Sequence, residues 1–443
     1  MKLLNYGKFE QAVLELKSNK NNAVAHIFEQ KNEINNNSLL ENAVFTIKDV
    51  FATADAKTTA SSNILQNFTP GYNASAVQKL IDAGAIPVAK VHNDELALGG
   101  TGTYSAFGLI TNPKDSARLV GGSSSGSAAT LSENIAFALA SDTGDSVRLP
   151  ASYNNIVGFK PSYGAISRYG MFAYASSLDT VSYFAHNTND IAVISQVLYG
   201  VDKNDHTSVD VKINNIIKLK PKSIAILDLD SKYLAQFTNN AYNDLIKKLQ
   251  STDIKVEKVK INEDLLRAVK PVYDIISYSE ASSNLANLNG IAFGQRRSGH
   301  NWEQIITNTR SQGFGKMVQR RLTLGSIFLF SQNQKELFIK AQQVRRLIKE
   351  YWDNLLSNYD IVIYSASADI APFIDSTKNK SYDFMEYILT TSNLTGNPSI
   401  TIPWIKNDNN LGVNLAIDSA IYTDEKLLSH TLWIEEFLGG KNE

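Results

Sequence analysis

Eight residues, Ser141-Asp-Thr-Gly-Asp-Ser146-Val-Arg148, put a serine hydroxyl at the end of a tight turn whose successive N–H groups can converge on an oxyanion. A serine is a weak nucleophile until a base takes its proton. The chain has no cysteine, and of its six histidines His186, His206, His300 and His430 follow the glycine- and serine-rich segments without lying in a turn of catalytic composition. A lysine held neutral by burial, its pKa drawn several units below about 10.4, is the chemically available alternative. Lys48, at the end of the apolar run Val44–Lys48, is the candidate base.

Other glycine-bearing segments admit other chemistry. Gly121-Gly-Ser-Ser-Ser-Gly-Ser127 lacks the lysine that makes a phosphate loop, and Gly100-Thr-Gly102 lacks the third glycine of a dinucleotide fingerprint. Gly122-Ser-Ser124-Ser-Gly126 matches the spacing of a nucleophile elbow, which needs an acid and then a histidine downstream. On residue types alone, a Ser and Lys hydrolase stands beside these readings.

The elements that must position such a site follow an α/β alternation. Val44–Lys48 reads as a strand, Ser75–Ala83 as a helix that turns at Gly84, and Ile86–Val91 as the next strand. Gly121–Ala129 begins as a loop and continues into small residues that suit a closely packed helix N-terminus. Strands are expected at Ile135–Ala140 and Asn155–Lys160. Ser223-Ile-Ala-Ile-Leu-Asp-Leu, then an amphipathic Tyr233–Leu249, then Lys255–Ile261 read as one βαβ unit of a parallel sheet. Leu337, Phe338, Ala341, Val344, Leu347, Ile348, Tyr351, Trp352 and Leu355 recur at helical spacing before a strand at Asp360–Tyr364. Val201–Asn215 is the best internal linker and Asp375–Ser381 a second surface loop.

Composition narrows the function classes. With 43% apolar and 20% charged residues in 443, the chain can bury a large core. Lys plus Arg total 43 against 44 Asp plus Glu, so no summed positive field draws in a polyanion, and any RNA would be carried by another chain. The absence of cysteine excludes a disulfide framework and thiolate metal sites. Met1–Lys20 lacks the apolar core of a signal peptide, and no apolar run approaches ~18 residues, so the expectation is a cytoplasmic protein with no membrane span.

Taken together, Ile47-Lys48-Asp49, Gly121-Gly-Ser-Ser, Asp142-Thr-Gly-Asp-Ser146-Val-Arg148 and Gly158-Phe-Lys-Pro-Ser resemble the amidase-signature enzymes, as does the interval of 23 residues between Ser123 and Ser146. Within that family, Asn93-Asp-Glu-Leu-Ala-Leu-Gly99, Ser105-Ala-Phe-Gly108, Thr111-Asn-Pro113, Tyr169–Asp179, Ser279–Leu285 and Arg320-Arg-Leu-Thr-Leu-Gly325 are most similar to the A subunits of tRNA-dependent amidotransferases. The resemblance runs from about residue 40 to about 400. It implies an α/β fold, a large mixed central β-sheet covered by helices on both faces. One domain over 1–443 is expected, with a catalytic core at about 40–200 and a second half at about 215–400 completing sheet and pocket.

The same resemblance makes Ser146 the nucleophile, Ser123 a bridging serine after a cis peptide, and Lys48 the base. The N–H groups of Thr143, Gly144 and Asp145 then form the oxyanion hole. Arg321 is expected on the glutamine α-carboxylate, Glu386 on its α-ammonium, with Tyr273 lining the pocket. The implied reaction is release of ammonia from glutamine through an acyl-enzyme, for amidation of Glu-tRNA(Gln) or Asp-tRNA(Asn). The implied partners are B and C subunits, with charged tRNA bound through the B subunit; ATP and magnesium belong to the partner and no metal or cofactor to this chain. The alternatives are a free-standing amidase of small amides and a non-catalytic scaffold subunit. Asp145, where most members have glycine, puts a carboxylate beside the oxyanion hole and is expected to use the tolerance of Asp for unusual backbone angles.

Overall fold

Successive side chains of a strand point to opposite faces of a sheet, so a strand buried at every residue needs cover on both sides. All five residues of Val44–Lys48 are buried in the computed structural model, which describes residues 1–31 and 38–439. The strands are β1 (Val24–Ile27), β2 (Val44–Lys48), β3 (Ile86–Val91), β4 (Phe137–Asp142), β5 (Val157–Lys160), β6 (Thr180–Ala185), β7 (Ser223–Asp228), β8 (Lys255–Lys260), β9 (Ile361–Ser365), β10 (Ser399–Lys406) and β11 (Gly412–Asp418). Among the described residues they form one sheet in the order β1-β3-β2-β4-β6-β5-β10-β11-β9-β7-β8. β3, β2 and β4 run parallel, as do β8, β7 and β9, and the remaining pairs are antiparallel. The sheet is thus large and mixed, and β2, β3, β4, β5, β6, β9 and β11 are buried along their whole length, as cover on both faces requires. Edge strand β8 keeps Lys255, Lys258 and Lys260 exposed, a charged edge that discourages further pairing.

β2, β3, β7 and β9 lie within a residue or two of where periodicity places them, and the βαβ unit is β7, the helix Gln236–Gln250 and β8. β4 is displaced two residues from the expected Ile135–Ala140, because Ser141 and Asp142 continue the ladder opposite Val181 and Thr180 of β6. The segment 201–215 is not a free linker. Asp202 accepts from Ser75 and Ser167, Asp205 accepts from the Arg168 amide, and Val211 and Ile213 are buried. Its polar composition reflects these tethers. In the helix Lys340–Asn358, Ala341, Ile348, Trp352 and Leu355 are buried as the stripe requires, but Leu347 faces outward at 53% exposure.

Two helices beside the sheet, Glu263–Asn284 and Lys316–Leu329, carry Tyr273, Asp274 and Arg321. They pack tightly at Gly325, where a Cβ would lie 1.9 Å from the Tyr278 carbonyl oxygen. A backbone carbonyl cannot retreat like a side-chain end, so Gly325→Ala forces the helices apart. Overpacking of this kind costs about 1–3 kcal/mol, and denaturant unfolding of Gly325→Ala is expected to show a loss in that range.

Candidate active site

The C-terminal ends of β2 and β4, adjacent and parallel, bring Lys48 and Ser141 together, and the loop before the short helix Ser125–Ala129 adds Ser123 and Ser124. Lys48 is wholly buried. Its Nζ lies 2.8 Å from Ser123 Oγ and 2.9 Å from both Ser124 Oγ and Ser141 Oγ. Burial pushes the amine down to about 7, against the opposing pull of Asp94, Asp142 and Asp179. No carboxylate touches the amine among the described residues, so the hydroxyls are its immediate partners.

The loop reaches this depth because it has no bulk to accommodate. The Gly122–Ser123 peptide is cis. A Cβ on Gly122 would fall 2.2 Å from Asp94 Oδ2 and 2.8 Å from the Thr101 amide nitrogen. Gly121, at φ +82°, packs its backbone against Pro150.

The turn between β4 and the helix Arg148–Asn154 is clamped from within. Asp142 Oδ2 accepts from the Val147 amide at 2.9 Å, and its Oδ1 lies 3.1 Å from Arg148 Nη2. Arg148, also wholly buried, donates to Gly144 O at 2.7 Å, Leu389 O at 2.6 Å and Asn393 Oδ1 at 2.5 Å. Burial works against the Asp142 carboxylate, but the charge and hydrogen bonds of Arg148 outweigh it and hold Asp142 below its usual range. Thr143 Oγ1 donates to Asp179 Oδ1 at 2.7 Å, tying the turn to the segment Tyr174–Asp179. With both flanks fixed, the N–H groups of Thr143, Gly144 and Asp145 donate to no described residue.

Ser146 sits at the end of this turn, 4% exposed, and its carbonyl accepts from the Ser124 amide at 3.3 Å. Its hydroxyl makes no hydrogen bond among the described residues. The structure therefore joins Lys48 to Ser123 directly and brings Ser146 alongside through the backbone. Asp145 follows an ordinary negative φ, so the tolerance of Asp for left-handed backbone is not used. Its carboxyl is partly buried, and burial, aided by Asp142, pushes it up to about 7 against Arg148 and Arg321.

Gly144 and Asp145 form one wall of a cavity of about 620 Å³ that Tyr273, Asp274, Arg321 and Glu386 also line. Tyr273 packs its ring end about 3.0 Å from the space a Gly144 Cβ would take. Arg321 Nη1 donates to Tyr174 Oη at 3.1 Å, its guanidinium lies 5.1 Å from the Tyr278 ring, and its buried Nε has no partner among the described residues. Spare donors of this kind suit a carboxylate. Glu386 is exposed and accepts from Ser381 Oγ at 2.6 Å. Asp274, paired with Lys270 on the same helix, faces the same space nearer Arg321 in charge than Glu386. Sequence reading missed Asp274, Ser124 and Ser141. Ser141 carried a signal, since it opens the same turn as Ser146 at the end of the strand next to Lys48. No group of His, Asp or Glu among the described residues is placed to hold a metal ion, and no helix is long and apolar enough to cross a membrane.

The sequence model of the amidase family matches residues 9–428. The A subunit of glutamyl-tRNA(Gln) amidotransferase from Mycoplasma genitalium is 37% identical, the match covering 96% of this chain and 93% of that one. The protein of the same name from Sulfolobus acidocaldarius is 36% identical over 92% of this chain and 87% of its own. The crystal structure of the Thermotoga maritima counterpart superposes with a TM-score of 0.80 at 31% identity, covering 97% of this chain and 91% of that one. A lysine buried among serines thus sits in a sequence and a fold that full-length relatives share, and the chain belongs to the amidase family.

Proposed function

We propose that the chain is the glutamine-hydrolysing A subunit of a tRNA-dependent amidotransferase, in which Ser146 attacks the side-chain amide of glutamine. The observation that carries this reading is the Lys48 amine, wholly buried, drawn down to about 7 and surrounded by three serine hydroxyls. A neutral amine has two N–H groups and one lone pair. Ser124 sends its own proton to the Ser141 carbonyl at 3.0 Å, so its oxygen accepts from Lys48. With Ser141 Oγ taking the second N–H, the lone pair faces Ser123.

Lys48 then takes the Ser123 proton as Ser123 takes that of Ser146, and Ser146 Oγ bonds to the amide carbon. The relay supplies general-base assistance typically worth 10²–10⁴ in rate. The oxyanion meets the N–H groups of Thr143, Gly144 and Asp145, which no other described residue occupies. Collapse expels the amide nitrogen as ammonia with a proton returned from Ser123, and water, deprotonated by the same relay, hydrolyses the glutamyl ester. Contacts between serines that are long in the free protein tighten once substrate is bound. Arg321 takes the α-carboxylate, and the acidic side of the cavity, Glu386 with Asp274, takes the α-ammonium beside Tyr273.

The two halves of the chain act as one amidase domain. The chain works in the cytoplasm with B and C subunits, the B subunit holding charged tRNA and the ATP and magnesium that activate it. The names of the relatives, each the A subunit of a glutamyl-tRNA(Gln) amidotransferase, support an amidotransferase of several subunits. Ammonia release from glutamine is expected to be weak for the chain alone and strongly stimulated by B and C subunits with charged tRNA; strong release alone points to a free amidase, and silence in both to a scaffold. In the assembled enzyme, Lys48→Met is expected to lower the glutaminase kcat at least about 10³-fold without changing the circular-dichroism spectrum. The relay needs the neutral amine, which is protonated below its pKa. The glutaminase kcat is therefore expected to fall as pH drops through about 7, read in a pH–rate profile from about 5.5 to 9. The Asp145 carboxylate charges over the same range and opposes the oxyanion, so Asp145→Asn is expected to steepen the rise above pH 7.

A further inference from the structure

Two adjacent carboxylates outside the relay, Asp94 and Glu95, are buried and face opposite ways. Asp94 gathers the neighbouring turn, accepting from the Thr101 and Gly102 amides at 3.1 Å and from Tyr104 at 2.9 Å, while its own N–H donates to the Ser123 carbonyl at 3.1 Å. Glu95 Oε1 accepts from Ser62 Oγ at 2.5 Å, and Oε2 accepts from the Gly315 amide at 2.8 Å. Gly315 is the N-cap of the helix Lys316–Leu329 and has no side chain to cap it. Its own N-cap amide is instead held by a carboxylate 220 positions away.

The segments that hold Glu95 are rigid by construction. Ala60, Ser61, Leu96 and Ala97 all sit at φ between +47° and +61°, and the Leu96 amide donates to the Ala60 carbonyl at 2.8 Å. Left-handed backbone at non-glycine residues persists only where the surroundings impose it. Burying a carboxylate is itself costly: burial pushes Glu95 up to about 7, against its hydrogen bonds to Ser62 and Gly315. A capping side chain at position 315 would serve the amides further into the turn and leave the 315 amide that Glu95 takes without it. What Glu95 adds is a fixed link from the Ser123 loop to the first turn of the helix on which Arg321 lies six residues past the cap.

We propose that Glu95 is a positioning residue that holds the helix bearing Arg321 where its guanidinium can take the α-carboxylate of a substrate bound beside the Lys48–Ser123–Ser146 relay. This rests on Arg321 being the carboxylate partner. The sensitive variant is Gly315→Ala: position 315 is exposed at an ordinary φ of −69°, yet its Cβ would lie 2.4 Å from Glu95 Oε2 and displace the carboxylate from the amide.

The test is steady-state glutaminase kinetics of the enzyme assembled with its B and C subunits, with melting curves as a check on folding. Gly315→Ala and Glu95→Ala are each expected to raise KM for glutamine about tenfold with kcat within about threefold. Glu95→Gln, which keeps an acceptor for the Gly315 amide, is expected to stay close to the parent. Arg321→Ala is expected to raise KM, and adding Gly315→Ala to it to raise KM no further. Unchanged KM in Gly315→Ala, a Glu95→Gln as impaired as Glu95→Ala, or additive effects with Arg321→Ala would overturn the positioning role while leaving Arg321 in place. An unchanged KM in Arg321→Ala itself would remove the carboxylate partner, and the positioning role with it.

Discussion

A primary amine with no access to water and no carboxylate against it is the constraint around which this molecule is organised. Taking an ammonium out of water costs several kcal/mol even after relaxation, so such a group gives up its proton near neutrality, as the proposed relay requires of its base. Two other buried lysines show that burial alone does not make one. Lys90, on the strand beside Lys48, lies 3.2 Å from Asp49 Oδ1 and donates to Phe51 O and Thr53 Oγ1, an ion pair inside a closed set of acceptors. Lys160 is drawn down to about 7 as well, chiefly by burial, but its partners are the carbonyls of Pro161 and Asn397, which have no proton to give. Of the three, Lys48 alone combines hydroxyl partners with the lack of a touching carboxylate.

Holding three hydroxyls on one amine takes the whole sheet. The parallel pairing of β2 with β4 brings Lys48 and Ser141 together, the glycines before Ser123 let the loop descend, and the Asp142–Arg148 pair fixes the turn that presents Ser146. Arg148 reaches Leu389, Ser392 and Ser399, some 240 to 250 residues later, so the far part of the chain supports the turn directly. Removing one partner of a buried hydrogen-bonded pair like this leaves an uncompensated charge, so the turn depends on both Asp142 and Arg148.

Much of this arrangement is legible in the residues themselves. β2 and β3 announce themselves as apolar runs bounded by turn residues, and Lys48, Ser123 and Ser146 follow from the shortage of other bases and from the family's motifs. The hairpin β10–β11 is not legible: Pro403 interrupts the first strand, the turn 407–411 is rich in asparagine, and the register shifts between Pro403 and Ile405. Leu347 departs from its expected place because a helical stripe fixes a face only approximately, and the face of that helix is set by the buried Trp352 and Ile348. Ser124, Asp274 and Glu95 could not be read from spacing, since their partners, Lys48, the cavity around Arg321 and the Gly315 amide, lie far away in sequence. Glu386 shows the limit of alignment by motif: it reaches the cavity, but from an exposed position and already bonded to Ser381.

The most direct measurement is the titration of the Lys48 amine itself, followed by NMR of the protein carrying lysine labelled at Cε and Nζ, with the Lys48→Met variant assigning the signal. A buried base predicts a midpoint near 7. A midpoint close to about 10.4, the value of a lysine in water, would contradict it.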